Sequence, residues 1–329
     1  MDILYATDEN YVRHAAASMV SLMESNTAAD EIVIHIMDMN ISESGLRALR
    51  EITDRYGRKL VVHPMGDIYK WFDFSVNAGG FGAGALARLF VARVLDESIH
   101  RILYLDCDTA VVGDVRPLFD LNMDGYCLGM VAEPTANKKR RAALGLKDYQ
   151  TYYNSGVLLI NMIAWRELNA ERRLLRFLAD HGGKLTAPDQ DMINGALNNE
   201  ILQLPPKYNY GAIQIYYSWK AQKAISAPTP FFTEEEYKAG TDHPVIVHFL
   251  GEERPWRAGN RHPYKNEYER CLAKTAWKDY APEEGWRSYF RCFYLFNALT
   301  KYLPMLRWKV IDSLIPLFLK SREKKASQQ

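Results

Sequence analysis

The first 62 residues alternate between two periodicities, and this alternation limits the possible folds more than any other feature of the chain. Ile3-Leu4-Tyr5-Ala6, Ile32-Val33-Ile34-His35-Ile36 and Leu60-Val61-Val62 are apolar runs of strand length. Between them, residues 12–25 and 42–56 place apolar side chains three and four apart, the spacing of one helix face. Strands and helices in that order fit parallel strands joined by right-handed crossovers. The chain is therefore expected to be α/β, with a doubly wound, mostly parallel, Rossmann-like central sheet and ligands at the carboxyl ends of its strands. Further strands are expected at residues 101–105, 126–131, 156–161 and 245–248, and helices at 165–179 and 188–198. Residues 77–85 hold four glycines and read as a mobile loop, and Lys138-Lys139-Arg140-Arg141 as a basic one.

Composition excludes several alternatives. A hydrophobic share of 48% with 25% charged residues is that of a globular protein and not of a disordered one. The four cysteines show neither C-x-x-C nor zinc spacing, as expected of reduced thiols in a cytoplasmic protein. The amino terminus enters a strand directly, without the basic and apolar regions of a signal peptide. The basic loop carries no interleaved aromatics, which speaks against nucleic acid as a partner. A net charge of +1 conceals an asymmetry. Residues 286–329 hold nine of the 41 Lys/Arg but two of the 40 Asp/Glu, together with nine aromatics.

Asp106-x-Asp108 closes the apolar strand at 101–105. Two carboxylates leaving a strand two residues apart can turn toward one point, and hard oxygen ligands suit Mn²⁺ or Mg²⁺. In isolation the pair is better explained as a turn, where Asp bonds its own backbone.

Other segments point the same way. They are Ala6-Thr7-Asp8-Glu9-Asn10 and Ala87-Arg88-Leu89, then Tyr153-Asn154-Ser155-Gly156-Val157-Leu158-Leu159-Ile160-Asn161. Asp189-Gln190-Asp191-Met192-Ile193-Asn194-Gly195 and His248-Phe249-Leu250-Gly251-Glu252-Glu253-Arg254-Pro255-Trp256 complete the set. With the Asp106/Asp108 strand, and in this order over residues 1–275, they resemble glycosyltransferase family 8, which includes bacterial lipopolysaccharide galactosyl- and glucosyltransferases and glycogenin. The resemblance implies a GT-A fold and transfer of a hexose from a UDP-hexose with retention at the anomeric carbon. It implies Asp106, Asp108 and His248 as metal ligands, and Ala6, Asp8 and Asn10 near the nucleoside. Arg88, Asn154, Asp189 and Gln190 would surround the donor sugar and reaction centre, with Glu133 close by, and Gly251 and Arg254 would hold the pyrophosphate. Arg254 stands where the family usually has lysine. Ala187 and Leu250 do not match the acceptor contacts of lactose-using relatives, so the acceptor, a glycan or lipid-linked glycan, does not carry over.

Gln190 occupies the place of a nucleophile, yet an amide is a poor one, so front-face displacement is expected, with a covalent role for Asp189 as the alternative. Gly80-x-Gly82-x-x-Ala85 matches a dinucleotide fingerprint only superficially, because no strand precedes it, and a lid is the better reading. A sugar nucleotidyltransferase also pairs carboxylates with a metal, but it needs a glycine-rich basic loop where this chain has Thr7-Asp8-Glu9-Asn10. An inactive nucleotide-sugar-binding module would be expected to lack Asp106, Asp108 or His248. Residues 1–283 are expected to form the catalytic domain and 284–329 a helical appendage. That appendage either packs on the domain or on a second subunit, or docks on the inner face of the cytoplasmic membrane, as a peripheral protein would.

Overall fold

The computed structural model describes residues 1–76 and 83–326. The glycine-rich segment expected to form a lid falls largely on residues 77–82, outside the described residues; Ala83–Ala87 is helical. In chain order the strands are β1 (Asp2–Thr7), β2 (Val33–Asp38), β3 (Lys59–Pro64), β4 (Arg101–Leu105), β5 (Thr109–Val111), β6 (Leu128–Ala132), β7 (Tyr153–Asn161), β8 (Ile201–Leu204) and β9 (Ile246–His248). Seven of them form one sheet in the order β3-β2-β1-β4-β7-β6-β8, while β5 and β9 pair separately.

The first four neighbours are parallel, as the alternating pattern requires. β7 instead runs antiparallel to both β4 and β6, and β8 is parallel to β6. Its run Val157-Leu158-Leu159-Ile160 is buried on both faces. An unbroken apolar run marks burial but carries no sign of strand direction. The reversal fixes the site, because it sets the beginning of β7 beside the end of β4, where the Asp106 amide donates to the Gly156 carbonyl at 2.8 Å.

Alternation along the strands divides the core in two. Ile3 and Tyr5 face one apolar cluster, Leu4 and Ala6 the other. On the first side, helix Val12–Ser25 is buried at every position from Val12 to Met23 except Arg13. Its polar residues are satisfied there by tertiary bonds: the Ser18 hydroxyl meets Tyr5 Oη and Thr109 Oγ1, and Ser21 Oγ accepts from the Val111 amide. Those bonds hold β5, and through it β9, against the main sheet.

Several segments differ from the sequence reading. The helix expected at 165–179 is two, Met162–Glu167 and Ala170–Asp180, separated at Asn169, whose φ of 49° is left-handed. The basic loop is a short helix, Lys138–Ala143, capped by the Asn137 side chain accepting from the Arg140 amide. Strands β5 and β8, of three and four residues, are too short for a periodic signal.

The appendage forms helices Arg287–Leu299 and Pro304–Ala326. The first packs: Phe290 is buried among the rings of Trp286, Tyr289, Phe293 and Tyr294. Tyr294 Oη donates to Glu253 Oε1 at 2.9 Å, and the buried Arg307 guanidinium lies 4.3 Å from the centre of the Tyr216 ring. Phe290→Ala should therefore cost about 3–5 kcal/mol of unfolding free energy, the usual cost of truncating a buried aromatic. Urea unfolding at constant m-value measures this, and a loss below about 1 kcal/mol would mean the helix is not anchored there.

Candidate active site

Asp106 and Asp108 lie where the chain leaves β4, and His248 ends β9, whose pairing sets His248 opposite Thr109. His248 Nε2 is 3.3 Å from Asp108 Oδ1 and 3.8 Å from Asp106 Oδ2. Its Nδ1–H donates to Asn209 Oδ1 at 2.9 Å, so the Nε2 lone pair points at the carboxylates. Burial lowers the imidazole pKa and keeps the ring neutral. One ligand atom from each of the three residues fits within a 4.8 Å group. Two carboxylate oxygens and an imidazole lone pair with its outer nitrogen fixed form a donor set that suits a divalent cation. Gly156 makes the arrangement possible, since a Cβ there would stand 2.0 Å from His248 Cε1.

Arg88 is the cation built into the site. It is 4% exposed, donates to Asp106 Oδ1 and the Ser155 carbonyl at 2.7 Å each, and lies 3.4 Å from Asp189 Oδ2. Tyr104 Oη also donates to Asp106 Oδ1, at 2.8 Å. Burial raises the Asp189 pKa, opposed by Arg88 and by the Ser155 hydroxyl that donates to it at 2.8 Å.

Gln190 follows at the start of helix Pro188–Leu197. Its Oε1 accepts from the Ser155 amide at 3.1 Å, and its Nε2 donates to Tyr152 Oη at 3.0 Å. Tyr152 Oη in turn donates to Asp191 Oδ1 at 2.7 Å, and Arg140 donates to the same oxygen. Asn154 donates to Glu133 Oε2 and accepts from Asn209 Nδ2, each at 2.8 Å. A continuous hydrogen-bonded path thus runs from His248 through Asn209 and Asn154 to Glu133.

The structure joins Arg88, Asp106, Asp108, Glu133, Asn154, Asp189, Gln190 and His248 into one network. Arg254 also reaches it, with its guanidinium on Asp108 and its Nε on the Gly251 carbonyl. Gly251 turns the chain at a φ of 70°. Asp8 and Asn10 lie outside the network, at the end of β1, where Asp8 Oδ1 accepts the Tyr11 amide. The Ala6 carbonyl accepts from Cys107 Sγ at 3.4 Å. Burial, opposed by a Thr7 hydrogen bond and aided by Asp106 and Asp8, pushes that thiol up to about 12, so Cys107 is no nucleophile.

Sequence reasoning assigned no role to Tyr104, Arg140, Tyr152, Ser155, Asp191 or Asn209. Ser155 and Asp191 lay inside the quoted segments and could have been found there. Asn209 and Tyr104 enter only through tertiary packing.

A mostly parallel sheet with acidic and imidazole side chains gathered at its carboxyl edge is the architecture of nucleotide-sugar transferases. A solved structure of the galactosyltransferase LgtC with donor and acceptor sugar analogs shares it at a TM-score of 0.71, with 21% identity, covering 88% of this chain and 99% of that one. The family description "Glycosyl transferase family 8" matches residues 2–259, and the chain belongs to that family of retaining glycosyltransferases. Membership sets aside the nucleotidyltransferase alternative. Among relatives, General stress protein A of Bacillus subtilis is 28% identical over 280 residues, 84% of this chain and 94% of the relative. The lipopolysaccharide 1,2-glucosyltransferase of Escherichia coli is 28% identical over 202 residues, 60% of this chain and 56% of that one.

Tyr152→Phe removes the hydroxyl that holds Gln190 and Asp191 together while keeping the ring. Loss of the bond that anchors Gln190, together with the one to Asp191, should lower kcat about tenfold, equivalent to about 1.4 kcal/mol, with the far-UV spectrum unchanged. Steady-state transfer assays check this, and an unchanged kcat would show that Gln190 needs no such anchor.

Proposed function

We propose that this enzyme transfers a hexose, glucose or galactose, from UDP to a hydroxyl of a glycan acceptor in lipopolysaccharide or other cell-surface polysaccharide assembly. The observation that carries the metal-dependent part of this reading is the convergence of Asp106, Asp108 and the oriented His248 Nε2. Mn²⁺ or Mg²⁺ held by those three residues would stabilise the charge that develops on the departing UDP. Arg254 and the turn at Gly251 would add counter-charge and backbone around the pyrophosphate. Arg254 supplies a planar fork in place of an ammonium, so phosphate oxygens would be held at two nitrogens. Ala6, Asp8 and Asn10, at the end of β1, would border the nucleoside. Glu133 and Asn154 would hydrogen-bond the donor sugar.

Retention follows if the acceptor enters on the face from which UDP leaves. The bond from the anomeric carbon to the UDP oxygen breaks, the bond to the acceptor oxygen forms, and the acceptor proton passes to the leaving phosphate oxygen. Asp189 Oδ2 already faces Ser155 and Arg88 in a site 4% exposed, which disfavours it as a covalent nucleophile. Gln190, held by Ser155 and Tyr152, would orient its amide toward the positive charge that grows at the ring.

Residues 1–283 would form the catalytic unit and 284–329 a membrane-facing appendage. Among the described residues no helix is long and apolar enough to cross a membrane, so attachment would be peripheral. Leu295, Leu299, Tyr302 and Leu303 are exposed, beside a basic composition that suits anionic lipid. Relatives named as lipopolysaccharide glucosyl- and galactosyltransferases support an acceptor at that surface. The placement expected is cytoplasmic, at the inner face of the membrane.

Slow UDP-hexose hydrolysis with Mn²⁺, screened over UDP-glucose and UDP-galactose, identifies the donor. Chelation should abolish it, and Asp108→Asn should reduce it more than about 100-fold. Normal turnover by Asp108→Asn would show the metal site to be elsewhere. Co-sedimentation with anionic vesicles at low salt should retain the full chain and release a chain ending at Glu284. Failure of the full chain to bind leaves the appendage a packing element only.

A further inference from the structure

Beside the appendage lies a cleft of about 610 Å³, none of whose lining residues is assigned to the transfer reaction. It runs between the segment following Arg257 and helix Arg287–Leu299, with Arg261, Lys265, Arg287 and Arg291 along its walls and Asn260 among the lining residues. Two of these cations are answered locally, Arg287 by Glu284 at 3.0 Å and Lys265 by Glu269 at 3.4 Å. Among the described residues no carboxylate lies within ion-pair distance of Arg261 or Arg291. The helix places Arg287 and Arg291 four apart in its first turns, with no acidic residue in the first turn. Like charges at that spacing repel, and cations at a helix amino terminus oppose its dipole. The Glu284 pair accounts for Arg287, but among the described residues no such pair accounts for Arg291.

A second feature borders the same cleft. Asn260 is 96% buried; its Oδ1 accepts the His262 amide at 2.9 Å, while its Nδ2 has no hydrogen-bond partner. A buried amide donor without an acceptor is costly, and such groups normally have a partner in the working molecule. The cleft is also held in place by other contacts. Gly259, at a φ of 88°, lets the segment approach so closely that a Cβ would stand 3.1 Å from Arg287 Cα. Tyr294 Oη accepts the Arg261 amide at 2.6 Å and donates to the buried Glu253, so helix and segment cannot move apart independently.

We propose that this cleft binds a phosphate group, as a monoester or diphosphate. Only an anion with several oxygens meets the demands together: two guanidinium forks that take oxygen pairs, an ammonium, and a neutral amide donor in a buried wall. A carboxylate offers two oxygens and one charge, whereas a phosphate spans the cleft. The phosphate belongs to a second molecule or a remote part of the acceptor, because the donor's pyrophosphate is assigned to Gly251 and Arg254, beside the proposed metal ligands. The site stands whether or not the appendage docks on a membrane.

The test uses the full chain in EDTA, so that a metal-bound pyrophosphate does not contribute. Isothermal titration with inorganic pyrophosphate should show binding that the double variant Arg261→Ala, Arg291→Ala weakens at least about tenfold. Both residues are exposed, so this variant keeps its fold, and its slow UDP-hexose hydrolysis should be unchanged. Arg254→Ala should leave the titration as it was. Sedimentation with phosphatidylcholine vesicles, with and without phosphatidic acid, distinguishes the sources. Binding that needs phosphatidic acid and is competed by pyrophosphate assigns the phosphate to a lipid, and pyrophosphate binding without a vesicle effect assigns it to a soluble or glycan-borne group. Equal pyrophosphate affinity in the double variant and the unmodified chain, or no binding in either arm, overturns the proposal.

Discussion

The guanidinium of Arg88 is a permanent charge with almost no water around it, and much of the site is arranged to make that tolerable. A buried cation is stable only where carboxylates and carbonyls surround it closely. Here the surroundings come from three places in the chain: Asp106 after β4, the Ser155 carbonyl in β7, and Asp189 at the start of helix Pro188–Leu197. The Arg88 side chain also lies 4.3 Å over the Tyr104 ring, whose hydroxyl donates to the same Asp106 oxygen. One buried charge thus fixes the relative positions of a carboxylate proposed to hold the metal, a strand start and a helix start. Side chains held by such contacts keep their orientation before any substrate arrives, which is the condition for electrostatic catalysis.

The antiparallel β7 is the topological half of the same arrangement. Had β7 followed its neighbours in direction, its first residues would lie at the far edge of the sheet, away from Asp106. Reversed, it delivers Asn154, Ser155 and Gly156 to the carboxyl ends of β4 and β6. Gly156 then gives His248 its space, and Asn154 reaches Glu133 across the β6 edge. Ordinary doubly wound sheets build such sites from loops; here a strand contributes directly, with the rigidity of a paired backbone.

The parts of this legible in sequence are those carried by local pattern. Period-two and helical spacing located β1 to β4 and helix Val12–Ser25, and the Asp106/Asp108 pair stood out because it closes an apolar run. The direction of β7 was not legible, since burial on both faces erases the alternation that would reveal it. Nor was the break at Asn169, where an asparagine takes a left-handed conformation in an otherwise helical pattern. Of the residues named for the site, Asp8 and Asn10 lie outside the hydrogen-bonded and ion-paired network that Arg88, Asp106, Asp108, Glu133, Asn154, Asp189, Gln190 and His248 share. Those that position them, Asn209 and Tyr152 above all, are ordinary polar residues whose meaning depends on partners far along the chain. Residues 138–141 read as a solvated basic loop because charge density alone does not show that Arg140 turns inward to Asp191.

The hydrogen-bonded path from His248 to Glu133 links two properties that would otherwise vary independently. Asn209 sets which imidazole nitrogen carries the proton, and its amide is shared with Asn154, which in turn holds Glu133. A change at Glu133 or Asn154 that reshaped the pocket would therefore also be felt at the imidazole. If Glu133 and Asn154 border the donor sugar as proposed, a lineage drifting toward a new sugar would have to pass through neighbours that keep the histidine's proton in place, by coordinated exchanges among Glu133, Asn154 and Asn209.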